Sequence, residues 1–132
     1  MAHELRTDPA LALVDVVYHG EVAAPEREQA IHEAARLLSE TDFRRVLVDL
    51  REATIVSEPT HVMVALAHEI AHAPALYSSR LAYLVTPEQE ANRIIENMAV
   101  ARDMQVGRFH ERDAAIAWLL DDASDRESDR AR

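Results

Sequence analysis

His68-Glu69-Ile70-Ala71-His72 spells H-E-x-x-H. That spacing sets two imidazoles one helical turn apart on a single face, where they hold zinc while the glutamate serves as general base for a bound water. The pattern is short and the chain has seven histidines, so the surroundings must decide. On a helix of 3.6 residues per turn, His61, His68 and His72 share a narrow stripe, and Val62, Met63, Leu66 and Ile70 centre on the opposite side. The imidazoles are therefore expected to face solvent while the aliphatic side packs on a sheet. His61 lies about 10 Å along the axis from His68 and cannot close the same site. Glu90 and Glu96 follow at distances loosely like those of third ligands in zinc peptidases, yet both read as solvated helix surface. The expectation is a polar helix face with no metal and no cofactor. A zinc-dependent hydrolase, with His68 and His72 as ligands and Glu69 as base, is the alternative.

Other chemistries lose their usual signatures. Cysteine is absent, which removes disulfides, thiolate nucleophiles and Cys-bound zinc and suits a reducing cytoplasm. All fourteen basic residues are arginine, so neither a Schiff-base nor a P-loop lysine exists. Gly20 and Gly107 stand too far apart to build a dinucleotide fingerprint or a phosphate-cradling loop. A net charge of −10 and an aromatic content of 5% argue against nucleic-acid binding. No apolar run approaches the roughly 20 residues that cross a bilayer, and the start MAHELRTDPA lacks the apolar segment of a signal peptide. A cytoplasmic protein with soluble partners is expected.

The elements that must position any site follow from periodicity. With 132 residues, 48% of them hydrophobic, the chain has enough apolar matter for one core. Residues 3–7 and 11–20 read as two strands around an Asp8-Pro9 turn. Pro25, the first-turn glutamates Glu26 and Glu28, and Ile31, Ala34, Ala35 and Leu38 at helical spacing predict a helix over 25–40. Residues 45–50, RVLVDL, are the expected central strand, followed by an irregular stretch REATIVSEP. The His-bearing helix comes next and is expected to stop at Pro74. Residues 80–85 are a further strand. Thr86-Pro87-Glu88-Gln89 resembles a capping box and predicts a helix beginning there, with Ile94, Ile95 and Met98 on its core face and Glu88 and Glu90 at its positive end. Residues 106–109 are a short strand, and Ala115, Ile116, Trp118, Leu119 and Leu120 form the apolar side of a closing helix, with Trp118 in the core. The fold class is therefore α/β: a mixed sheet, mostly parallel, with an N-terminal antiparallel hairpin and about four helices. The expected domain spans 1–120, and the charged stretch 121–132 is expected to be disordered.

In open sheets of this kind ligands gather beyond the carboxyl ends of the strands. Here that means Asp49 and Arg51, Thr86, and the Phe109-His110 junction. The plain structural reading of Asp49 and Arg51 is a strand-end ion pair or helix cap.

The element order, together with "RRVLVDLREATIV", "SRLAYLVTP" and "GRFHERDAAIAWL", resembles small bacterial proteins of the STAS-like, anti-sigma-factor antagonist-like superfamily. Asp49-Leu50-Arg51 and the arrangement of Phe109, Ala115, Trp118 and Leu119 carry most of the likeness, which spans roughly residues 3–120. The resemblance implies a non-enzymatic regulatory or binding module that acts through protein contacts. The chain is expected to bind a protein partner or a small apolar ligand through the region of the His-bearing helix, with residues 57–60 at its rim and Asp49, Arg51, Ser57, Glu58 and Thr60 as the binding residues. A homodimer is a further arrangement open to it. Antagonists of this family carry Asp-Ser-Ser-Gly at the start of the helix after the central strand, and a kinase phosphorylates the serine. The matching stretch here is Ser57, Glu58, Pro59 and Thr60, which sets Glu58 at the phosphoacceptor position. A glutamate fixes one charge where a phosphate would add about two reversibly. Ser57 and Thr60 are expected as helix caps, and a phosphorylated antagonist is the remaining alternative.

Overall fold

Residues 2 to 121 are described by a computed structural model. Its elements in chain order are β1 (His3–Asp8), β2 (Leu13–Val22), α1 (Ala24–Thr41), β3 (Arg45–Ile55), α2 (Thr60–His72), α3 (Pro74–Tyr77), β4 (Arg80–Leu84), α4 (Arg93–Ala101), β5 (Gln105–Phe109) and α5 (Arg112–Leu119). The strands form one sheet in the order β1-β2-β3-β4-β5. β1 runs antiparallel to β2 and every other pairing is parallel. The mixed sheet with its N-terminal hairpin is the architecture expected from the sequence, and of the five helices α3 is a single turn. The charged stretch expected to be disordered lies, from residue 122 on, outside the described residues.

Side chains alternate across a strand, so each central strand serves two cores. Val14, Val16, Val46, Val48, Leu81 and Tyr83 point to the face covered by α1 to α4, where they meet Ala30, Ala34, Leu38, Leu66, Ile70 and Ile95. Leu13, Leu47, Ala82 and Leu84 point the other way and pack beneath α5 through Ala115 and Leu119. Gly107 makes this second packing close: a Cβ there would lie 2.6 Å from the Phe109 ring.

Local chemistry sets the boundaries. α1 ends at Asp42, which adopts the left-handed conformation (φ 63°) and returns its N–H to the Leu38 carbonyl, as a short polar side chain tolerates. α2 stops before Pro74 as expected, but the proline then opens α3, because it fits the first turn of a helix as well as it ends one.

Three expectations need correcting. β3 does not stop at residue 50. It runs on to Ile55 beside β2, through a shift of register in which Val17 and His19 oppose Asp49 and Glu52. The extra residue is a bulge, and it returns Ala53 to the same face as Leu50. α4 begins at Arg93, not at Thr86. Gln89 does accept the Thr86 N–H (2.8 Å), but its amide nitrogen donates to the carbonyls of Leu50 and Ala53 (2.7 and 3.0 Å), which binds the segment to β3 before any helix starts. Glu88 and Glu90 thus precede the helix, and Ile94 is exposed while Ile95 carries the core contact. Trp118 is half-buried at the rim of the smaller core, under the Arg80 guanidinium 4.2 Å from its ring centre, and Leu120 is exposed.

Candidate functional site

The second helix delivers His61, His68 and His72 to solvent and buries Met63, Leu66 and Ile70, as their periodicity requires. The His68 and His72 rings stack with centres 3.8 Å apart, and His72 Nδ1 lies 2.9 Å from the His68 carbonyl oxygen, so that nitrogen donates within its own helix. Glu69 turns aside to α1, where its Oε1 is 3.9 Å from His32 Nε2. With Glu28 these form the trio of metal-ligating side chains found among the described residues, their ligand atoms within 4.8 Å of one another. The glutamate that a zinc peptidase would aim at a bound water is therefore turned toward His32 across the helix interface, away from the imidazole pair. Chelator treatment is expected to leave the unfolding temperature unchanged. Zinc retained at one equivalent after dialysis, and lost in a His68→Ala/His72→Ala variant, would reverse that expectation.

Asp49 and Arg51 sit inside β3, at the bulge. Asp49 Oδ1 accepts the Arg51 backbone N–H (3.1 Å) and its Nε–H (3.1 Å), and Oδ2 accepts from Nη2 (3.1 Å). The bulge leaves an N–H outside the ladder and the carboxylate takes it up. These bonds make the pair an ionic clasp across the bulge, and the hydrogen bonding to Asp49 raises the Arg51 guanidinium above its ordinary pKa. On the same face Arg112 of α5 reaches Asp15 (2.6 Å).

Residues 57–60 lie further along. β3 continues through residues 52–55, roughly 13 Å of extended chain at ~3.3 Å per residue, before the loop begins. The Asp49–Arg51 clasp and the loop are thus two places rather than one rim. Ser57, Pro59 and Thr60 are exposed. Glu58 reaches back to α1, where its Oε1 accepts the Ala24 N–H (3.2 Å), one of the orphan donors at a helix start. Capping by Ser57 or Thr60 is not observed: Pro59 is the N-cap of α2, no side chain caps it, and Thr60 is its first residue.

The structure also holds a buried polar chain that the sequence reading does not anticipate. Arg27 of α1 (3% exposed) donates to Asn92 Oδ1 (2.6 Å), Asn92 donates to Glu96 Oε2 (2.8 Å), and Arg108 of β5 closes on both Glu96 oxygens (3.0 and 2.8 Å) and on the Gln89 carbonyl. Glu96, expected on solvated surface, is 6% exposed. The signal was present: Arg27 falls on the stripe of Ala30, Ala34 and Leu38, and Asn92 and Glu96 on that of Ile95 and Ala99. Beside Arg27 lies an apolar cavity of about 30 Å³ between α1, α2, α3 and the central strands.

No family model and no curated protein matches the chain. Solved structures do. The unphosphorylated anti-sigma factor antagonist SpoIIAA aligns with TM-score 0.60 at 13% identity, covering 89% of this chain and 97% of its own. An uncharacterized protein with a SpoIIAA-like fold from Shewanella loihica gives 0.57 at 16%, covering 89% and 92%. An anti-sigma factor antagonist from Mycobacterium paratuberculosis gives 0.56 at 15%, covering 90% and 93%. At such identities the likeness is one of backbone architecture, and on that ground the chain has the SpoIIAA-like, STAS-like fold of the anti-sigma factor antagonists.

Proposed function

We propose that this chain is a non-enzymatic regulatory module of the cytoplasm that docks a protein partner on the β3–α2 loop and the adjoining exposed side of α2. The observation that carries the reading is the state of that loop: Ser57, Pro59 and Thr60 are presented to solvent while Glu58 ties the loop to the start of α1. A surface held in one shape loses little freedom on association. Exposed Val64, at 37%, adds an apolar contact on α2. Asp49 and Arg51 contribute by holding the bulge that aims the end of β3. Two of the structures with this fold are anti-sigma factor antagonists, which supports a partner that is itself a protein. No helix among the described residues is long and apolar enough to cross a membrane. With Glu58 engaged at α1, the reading involves no phosphoryl switch.

A photo-crosslinking residue at position 57 tests this. In cell extract it is expected to capture one discrete protein, and the same residue at position 113, on exposed α5, is not. Equal capture at both positions, or none at 57, would refute the docking surface.

A further inference from the structure

The cavity beneath α1 combines an apolar wall with a charged donor that is not fully used. Arg27 lines it, is 3% exposed, and spends Nη2 on Asn92, while Nε and Nη1 have no hydrogen-bond partner among the described residues. A guanidinium keeps its charge even when buried, and the groups it meets here are neutral: the Asn92 amide and Tyr18, whose ring centre lies 5.9 Å from its Cζ. Buried cations ordinarily meet an opposite charge. The rest of the lining includes Val48, Ala34 and Ile70, with the rings of Tyr18 and Tyr83. Burial pushes both phenols above their ordinary pKa, against the lowering influence of Arg27, so neither supplies the missing negative charge at neutral pH. The volume of about 30 Å³ exceeds the ~10–15 Å³ that one water needs and falls far short of the roughly 300–1,000 Å³ of a drug-sized pocket.

We propose that this cavity is a binding site for a small carboxylate, of acetate size, which accepts from Arg27 Nη1 while its methyl group meets the aliphatic wall. The charge selects an anion, the wall selects one with an apolar end, and the volume limits its length. The site goes beyond the docking proposed above and does not rest on it, since a cavity that binds nothing leaves the loop at 57–60 as it was.

The test uses sodium acetate, with sodium chloride at equal ionic strength and neutral acetamide as controls. Acetate is expected to raise the unfolding temperature by an amount that grows with concentration, and to shift the Arg27 Nε–Hε resonance saturably. Chloride and acetamide are expected to do neither. Arg27→Met is expected to lose the acetate-specific rise. Should that variant not fold, the resonance titration of the unaltered protein decides alone. An unmoved Arg27 resonance, an equal shift with acetamide, or an equal thermal response in a folded Arg27→Met protein would each overturn the proposal.

Discussion

Replacing Glu96 by alanine is expected to lower the unfolding free energy by about 3–5 kcal/mol, the usual penalty for removing one partner of a buried ion pair. The size follows from what is left behind. Glu96 accepts twice from Arg108, whose side chain is 16% exposed, and once from Asn92. Without the carboxylate, a largely buried guanidinium keeps only the Gln89 carbonyl, and Asn92, wholly buried, loses the acceptor for its amide. Glu96→Gln retains oxygen and hydrogen-bonding capacity but no charge, so its cost should be smaller. Urea unfolding distinguishes the two: the midpoint should fall for both, furthest for alanine, at an unchanged slope. A Glu96→Ala protein within 1 kcal/mol of the original would show that Arg108 finds another partner at little cost.

Leu119→Ala is expected to cost about 2–5 kcal/mol, as for other large-to-small changes in a filled core, and to act on one element first. α5 has only eight residues, no side chain caps its start, and among the described residues no other helix packs on its side of the sheet. A helix that short holds through packing rather than propensity, and Leu119, 2% exposed, is its largest fully covered side chain. Amide exchange should therefore accelerate in α5 before β2, β3 and β4 respond. Uniform loss of protection across the sheet would show instead that α5 opens only with the whole domain.

Periodicity made much of the fold legible. The hairpin, α1, β4 and β5 lie close to where alternation, a first-turn proline and short aliphatic runs place them, and the solvent-facing imidazoles follow from the aliphatic residues between them. What failed depended on partners remote in sequence. Gln89 has the residue type of a capping box, and its amide instead reaches carbonyls 39 and 36 positions away. Glu96 is polar and helical, which by itself suggests surface; its burial becomes tolerable only because Arg108 and Asn92 converge on it. Asp49 and Arg51 look like a strand end in the sequence because residues 51–55 carry too little apolar pattern to show that the strand continues. The bulge that interrupts the alternation is itself a consequence of pairing with β2. Of the proposed site, the types at 57–60 were visible, whereas the bond from Ala24 to Glu58 was not, since it joins residues 34 apart.

The closing helix also determines how the protein is best held. Arg45 and Arg80, the first residues of β3 and β4, donate to the carbonyls of Leu119 and Asp121. The described chain therefore finishes at the end of the sheet where its parallel strands begin, whereas Ser57 follows the end where β3 finishes, roughly 35 Å of extended strand away. A tether joined directly after Asp121 leaves by the pole opposite the loop, so a sensor coated through that tether would present residues 57–60 outward.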